Sequence, residues 1–257
     1  MSNKIFQLEN VSFAYPMSEP LLTNCSLTIE AGQRVCILGA NGCGKSTLMK
    51  ILAGLLTPQS GGFQAFGQPV KSAALKKEAA KAYHRRVGYI FQDPDVQLFC
   101  SSVREELAFG PLQTGVGAEE ALQRVDLLAK ELDIEKLLDK PPFHLSGGEK
   151  KKVAIGSALI LEPEVLILDE PTNDLDPRSQ TWLLKLLQSL GRAGKTLIFA
   201  THDLDLVPHV ADRAILFDEE HNIAADMAVK DLLADVELLR SVNLVDEHYH
   251  THPWDFE

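Results

Sequence analysis

The stretch that decides the fold is QRVCILGANGCGKST, residues 33–47. It opens with an apolar run typical of a buried strand, continues as a glycine-rich loop, and leads into a helical pattern over Lys45–Leu55. The loop Gly39–Thr47 has the form G-x-x-x-x-G-K-[ST] between a strand and a helix, which is the context a phosphate-binding loop requires. The sequence therefore predicts a phosphate site at the start of this helix.

Each residue type in this loop has a chemical reason. Glycines let backbone N–H groups wrap closely around an anion, and the helix N-terminus adds the positive end of its dipole. Lys45 would supply a cation for the β- and γ-phosphates, and Ser46 a hydroxyl for Mg²⁺. The residues expected to contact the nucleotide here are Gly39, Asn41, Gly42, Gly44, Lys45, Ser46 and Thr47.

Two adjacent carboxylates end a second apolar run, VLILDEP at residues 165–171. Acids at the carboxyl end of a parallel strand are expected beside the loop that holds the phosphates. Asp169 then suits Mg²⁺, acting through water, and Glu170 suits a general base for the attacking water. The alternative is a pair of solvated acids at a strand end.

Composition narrows the classes of protein. The chain has 257 residues, a formal net charge of −11 and a sequence pI near 5.2. An acidic balance disfavours nucleic acid as the main partner, because that binding depends on Lys and Arg neutralising phosphates. No apolar stretch approaches the roughly 20 residues that span a bilayer. The four cysteines show no metal-ligand spacing, which favours a reducing compartment.

Short apolar runs alternate with helical patterns along the chain, which predicts an α/β fold with a mostly parallel sheet covered on both faces. Between Gln92 and Glu164 the pattern becomes nearly all helical, as in an inserted helical subdomain. Ile5–Tyr15, as a strand pair, and Gly61–Val70 suggest a small antiparallel sheet. The remaining predicted strands are Gln33–Leu38, Val87–Phe91, Val165–Leu168, Thr196–Ala200 and Arg213–Phe217.

A third motif, LSGGEK at residues 145–150, opens a further helix. Ser146 suits a helix N-cap, but Gly147 and Gly148 are costly in a first turn unless backbone must approach something closely. Together with the phosphate loop and the carboxylates, this motif resembles the ABC ATPase family over roughly Ile5–Phe217. The resemblance implies a RecA-like P-loop core, ATP and Mg²⁺ as ligands, and a Ser146–Gly148 turn that contacts the γ-phosphate held by a second ATPase subunit.

Four further positions match the family in order. Tyr15 resembles the aromatic residue that stacks on adenine, and Gln92 the glutamine that touches Mg²⁺ and relays movement. Asp176 resembles the acid of the D-loop, and His202 the switch histidine at the γ-phosphate. With Lys45 and Glu170 as catalytic groups, these residues complete the predicted site.

The segments FQDPDVQLF, residues 91–99, and VREELAFGP, residues 103–111, resemble the ATPases of energy-coupling-factor transporters, which include cobalt/nickel and vitamin importers. Val96, Lys152 and Asn173 depart from the usual pattern. This resemblance implies an importer ATPase that closes as a homodimer or with a related paralogue. Its partners would be an integral membrane transport subunit and a substrate-binding membrane subunit, at the cytoplasmic face of the cell membrane.

Two other functions are considered as alternatives to an importer ATPase. A non-transport ABC ATPase that drives assembly of a soluble complex, as in iron–sulfur cluster biogenesis, would have a similar size. A chromosome or DNA-repair ATPase is disfavoured, because the stretch from Gln92 to Leu145 is too short for a long coiled coil.

The predicted domains are an ATPase domain over 1–220, with its helical subdomain at about 93–162, and a C-terminal extension over 221–257. Met227–Arg240 has a helical pattern. His248, His250 and His252 in the terminal segment could bind Zn²⁺, Ni²⁺ or Co²⁺, or belong to a solvated tail.

Overall fold

The computed structural model describes residues 3–70 and 77–246, so the tail histidines lie outside the described residues. The chain forms two compact units, one of Met1–Lys76 with Leu184–Glu257 and one of Lys77–Leu183. The predicted α/β class is confirmed. Among the described residues, no helix combines the length and apolar character needed to cross a bilayer.

The first unit contains an antiparallel sheet of β1 (Lys4–Ala14), β2 (Pro20–Glu30), β4 (Ser60–Ala65) and β5 (Gln68–Pro69), in the order β2-β1-β4-β5. The prediction of a strand pair within Ile5–Tyr15 was wrong, since this segment is one strand that pairs with β2 and β4. The cause is an irregularity at Asn10, whose φ of 50° accompanies a register shift between Leu8 and Val11. A bulge of this kind carries the polar, turn-forming residues that suggest a hairpin in sequence.

The same unit contains the parallel strands that carry the phosphate loop. β3 (Arg34–Leu38) lies between β8 (Thr196–Ala200) and β9 (Arg213–Phe217) and is parallel to both. All three match predicted strands to within a residue, and their apolar side chains are buried, as expected for a sheet covered on both faces. α1 (Lys45–Leu52) follows β3 directly, and β10 (Ile223–Ala228) pairs antiparallel with β9.

The described part of the first unit also contains three short helices, α7 (Val207–Val210), α8 (Val229–Ala234) and α9 (Val236–Ser241). The single helix predicted over Met227–Arg240 was therefore wrong at its start and in its middle. Met227 belongs to β10, and Asp235 has a non-helical φ and ψ of −92° and 77°. Its side chain accepts the Leu238 N–H at 3.0 Å, so it caps α9 instead of continuing α8.

The second unit has two parallel strands and a helical stretch between them. β6 (Val87–Ile90) pairs with β7 (Val165–Asp169). The helices are α2 (Lys77–Arg86), α3 (Val103–Gln113), α4 (Ala118–Glu131) and α5 (Gly147–Leu159), with 3-10 turns at Pro94–Val96, Glu135–Leu137 and Pro142–His144. A further helix, α6 (Pro177–Arg192), begins in this unit and continues into the first. Three of these helices lie between β6 and β7, in agreement with the helical pattern of the sequence.

The helical stretch is held together by close packing around Gly156 of α5. A Cβ at this position would lie 3.0 Å from both Leu107 of α3 and Leu132 just after α4. A larger side chain would force these helices apart, so the small residue fixes their separation.

Glu106 of α3 organises the loop that precedes the helix. It is only 4% exposed, and one of its carboxylate oxygens accepts the backbone N–H groups of Phe99 and Cys100 at 2.9 and 2.8 Å. A buried carboxylate is tolerated because these main-chain donors replace the water it has lost. These hydrogen bonds give a structural reason for the glutamate at position 106 in the VREELAFGP segment.

We expect Glu106→Ala to lower the free energy of unfolding by about 2–4 kcal/mol, because two charge-assisted hydrogen bonds to part-buried amides are lost. Urea unfolding followed by circular dichroism measures this change. The control is Glu105→Ala, an exposed neighbour on the same helix, for which we expect less than about 1 kcal/mol. Equal losses in the two variants would contradict the role given to Glu106.

Candidate nucleotide-binding site

The phosphate loop of the first unit has the shape that backbone binding of phosphate requires. At Gly39, a Cβ would lie 2.6 Å from the Cys43 sulfur and 2.9 Å from the Phe217 carbonyl oxygen. At Gly44, with a φ of 109°, a Cβ would clash with the carbonyl oxygen of Leu21. Only glycine fits at either position, so glycine is what lets the loop pack this closely against Leu21 and Phe217.

Lys45 holds its ammonium group at this loop. The residue is 7% exposed, and Nζ donates to the carbonyl oxygens of Gly39 at 2.7 Å and Ala40 at 2.9 Å. α1 begins with Gly44 as its N-cap, so no side chain caps its first turn. A cation and a helix N-terminus thus share one place, an arrangement that suits the phosphates of ATP.

Cys43, inside the loop, adds no negative charge to it. Burial raises the pKa of its thiol, although the nearby Lys45 ammonium acts in the opposite direction. The neutral thiol therefore does not compete with a phosphate for the lysine.

The predicted acids of the second unit lie at the end of β7. Asp169 and Glu170 are 5% and 7% exposed, so the alternative of two solvated acids is wrong for this structure. Tyr89 of β6 donates its hydroxyl to Asp169 at 3.1 Å, a contact that sequence reasoning missed. Glu170 has a φ of 41°, a left-handed conformation uncommon for glutamate and typical of strain at functional sites.

The LSGGE turn forms a reciprocal cap at the start of α5. The Ser146 N–H donates to Glu149 at 2.8 Å, and the Glu149 N–H donates to the Ser146 hydroxyl oxygen at 3.4 Å. The hydrogen bond from the Ser146 N–H is the main cause that lowers the pKa of the Glu149 carboxyl. The N-cap expected of Ser146 is confirmed.

Ser179 packs closely against Gly148 and donates a hydrogen bond to Asp176. A Cβ on Gly148 would lie 2.5 Å from the Ser179 hydroxyl oxygen. Asp176 accepts that hydroxyl at 2.7 Å and the N–H groups of Arg178 and Ser179 at 2.9 and 3.1 Å, so it caps the start of α6. These bonds, first the one from the Ser179 side chain, lower the pKa of the Asp176 carboxyl. A nucleotide contact for Asp176 stays a prediction.

A cavity of about 530 Å³ in the second unit borders the signature turn. Lys152 stands in its wall, where Nζ donates to the Leu132 carbonyl oxygen at 3.1 Å and lies 4.9 Å from the ring centroid of Trp182. Sequence reasoning did not predict this cavity. Its lining includes Lys136, Lys140, Ser146, Gly148, Lys152 and Arg178.

Three other predicted residues lie at the surface. Tyr15 is 36% exposed, and its ring meets Phe13 edge-on at 5.0 Å in the first unit. His202 follows β8 and is exposed, and Gln92 in the second unit is also exposed. Their contacts with a nucleotide remain predictions.

Comparison with known proteins settles the family. A family model described as ABC transporter matches residues 22–173. The chain belongs to the ABC transporter family. It is an ATP-hydrolysing subunit of an ABC transporter.

Individual relatives cover nearly the whole chain. The nickel import ATP-binding protein NikO of Rhodobacter capsulatus is 47% identical over 93% of this chain and 95% of its own length. The energy-coupling factor transporter ATP-binding protein EcfA of Methanocaldococcus jannaschii is 40% identical over 93% and 85%. The solved structure of cbiO1 from Clostridium perfringens, described as part of the ABC transporter complex cbiONQ, has a TM-score of 0.79 at 37% identity, covering 94% of this chain and 95% of that one.

We expect Lys45→Met to weaken ATP binding about 10- to 100-fold, because the variant loses charge-assisted hydrogen bonds to phosphate worth about 1.5–3 kcal/mol. Titration calorimetry with ATP measures the affinity. The matched control is Lys50→Met, which removes the same charge from the last turn of the same helix and should change affinity less than about twofold. Equal affinities for wild type and Lys45→Met would exclude this lysine from the site.

Proposed function

We propose that the chain is the ATPase subunit of an importer of the energy-coupling-factor class, which works by ATP-dependent closure of two ATPase subunits. The observation that carries the proposal is the presence in one chain of two different helix N-termini built for anions. α1 follows a loop in which only glycine fits at Gly39 and Gly44, and α5 follows the Ser146–Gly148 turn. The first would hold the chain's own ATP, and the second would contact the γ-phosphate on the partner.

The cavity beside the signature turn supports a nucleotide of the partner subunit. Its lining carries four cationic side chains against three acids, an excess of positive charge in a chain whose net charge is −11. The four cationic side chains would donate hydrogen bonds to a polyphosphate at this cavity.

ATP and Mg²⁺ fit the groups that the chain presents. The loop Gly39–Thr47 would bind the phosphates and Tyr15 the adenine, while Ser46, Gln92 and Asp169 would hold Mg²⁺, hard oxygen donors that suit this ion. When bound, Mg²⁺ supplies neutralising charge at the β- and γ-phosphates. The Tyr89 hydroxyl would keep the Asp169 carboxylate in one orientation.

Catalysis in this proposal is positioning and charge stabilisation. Lys45 would neutralise charge on the γ-phosphate, Glu170 would accept a proton from the attacking water, and His202 would contact the γ-phosphate. In a continuing strand, Asp169 and Glu170 would point to opposite faces of the sheet. The left-handed backbone at Glu170 ends this alternation directly after β7, which fits a separate role for Glu170.

The class of transporter is inferred from the FQDPDVQLF segment and from relatives named for nickel import and for energy coupling. We infer a cobalt or nickel ion as cargo, recognised by the membrane subunits. The partners would be a second ATPase subunit, an integral membrane transport subunit and a substrate-binding membrane subunit. The chain would then lie peripherally on the cytoplasmic face of the membrane.

Glu170→Gln should reduce the turnover number for ATP about 100- to 10,000-fold, the usual contribution of a general base, while ATP affinity changes little. The same variant should accumulate an ATP-dependent dimer, which light scattering after size exclusion detects. Glu164→Gln is the control, since this exposed acid before β7 pairs with Arg86 at 2.6 Å. Full turnover by Glu170→Gln would rule out the role given to this carboxylate.

The transport assignment is tested by recovering the tagged chain from detergent-solubilised membranes of its own cells. We expect a multi-span membrane protein and a small substrate-binding membrane protein to co-purify, with more of both retained by the Glu170→Gln variant in ATP. Recovery of soluble proteins alone would replace the importer with an assembly ATPase and leave the ATP chemistry unchanged.

A further inference from the structure

The segment that follows β6 is fastened to α5 by side chains from both sides. Lys150 donates to the Asp95 carboxylate at 2.6 and 2.9 Å, and Lys151 donates to the Gln92 carbonyl oxygen at 2.7 Å. From the other side, Gln97 donates to the Ala154 carbonyl oxygen at 2.7 Å. The predicted Mg²⁺ ligand Gln92 therefore belongs to a stretch that is tied to the helix of the signature motif.

Lys151 differs from the other members of this set in its burial. It is 2% exposed, whereas Lys150 is half-buried and forms an ion pair with the exposed Asp95. A buried ammonium needs a strong acceptor, and the Gln92 carbonyl oxygen supplies it. Breaking this bond would leave a buried donor without its partner.

Carboxylates lie near the buried Lys151 side chain. Burial lowers the pKa of its side chain, and the nearby carboxylates of Asp93, Asp174 and Asp169 act against that decrease. Two of these acids follow β7 or end it, so the lysine lies among the predicted hydrolytic residues of the second unit.

The hydrogen bond from Lys151 fixes the peptide plane that follows Gln92 and leaves the Gln92 side chain accessible. Lys151 binds the carbonyl oxygen of Gln92, which sets the backbone rotation after its Cα, while the Gln92 side chain is exposed. Three residues of α5 separate Lys151 from Gly147, where the helix begins. A shift of the signature turn would therefore be transmitted to the Gln92 backbone through one rigid helix turn.

We propose that Lys151 is a positioning residue for ATP hydrolysis, which clamps the Gln92 peptide to the signature helix so that Gln92 and the Ser146–Gly148 turn move as one body. The proposal rests on the function proposed above for Gln92. Lys151 itself touches neither nucleotide nor Mg²⁺ in this scheme.

A double-mutant cycle on the full-length chain tests this scheme, with Lys151→Met, Gln92→Ala and their combination. We expect Lys151→Met to lower kcat about tenfold or more with ATP affinity within about twofold, because positioning and not binding is lost. In the Gln92→Ala background the same substitution should change kcat less than about twofold, since its route of action has been removed. Lys130→Met on α4 is the control for loss of one positive charge.

Hydrogen–deuterium exchange tests the clamp without relying on turnover. We expect amides in residues 91–98 to exchange about tenfold faster in Lys151→Met than in wild type, while α3 and α4 keep their protection. Thermal unfolding of each variant confirms that the comparison is between folded proteins.

The two hypotheses fail in different ways. A wild-type chain that does not hydrolyse ATP would overturn the proposed function. Hydrogen–deuterium exchange of residues 91–98 would then be the test of the clamp. In an active chain, unchanged exchange in residues 91–98 would overturn the clamp. So would an equal loss of kcat from Lys151→Met with and without Gln92.

Discussion

Backbone amides can bind a phosphate group only where no side chain fills the space in front of them. In this chain a Cβ at Gly39 or Gly44 would meet the neighbouring main chain, and one at Gly148 would meet the Ser179 hydroxyl. The strands before the first loop and the reciprocal cap at Ser146 hold these bare turns in place. The rest of the predicted site depends on this condition, because Lys45 and Glu170 would have a reaction to promote only once phosphates are held.

Three buried charged side chains of the described residues are paired with backbone groups. Lys45 donates to two carbonyl oxygens of its own loop, Lys151 to the carbonyl of Gln92, and Glu106 accepts two amides ahead of α3. Since an uncompensated buried charge is costly, each of these ions fixes the local path of the chain. Three segments that carry no regular structure of their own thereby acquire defined shapes.

Much of the fold was predictable because it depends on patterns among residues that are close together in the sequence. The β3, β8 and β9 strands, the phosphate loop and the N-cap at Ser146 follow from apolar runs and short motifs. The contacts of Glu106, Tyr89 and Lys151 were not predictable, since each joins residues brought together by tertiary packing. The errors at Asn10 and Asp235 arose where a single residue with unusual backbone angles interrupted a regular pattern.

The thiol of Cys43 has a chemical consequence for the proposed work of this protein. A thiolate, and not a thiol, is the form that binds soft metal ions and reacts with electrophiles or oxidants. Burial raises the pKa of Cys43, and that of Cys25 to about 12, so each thiol loses its proton less readily than an exposed thiol does. The cysteine at the centre of the phosphate loop is therefore less reactive toward metal ions and oxidants than an exposed cysteine would be.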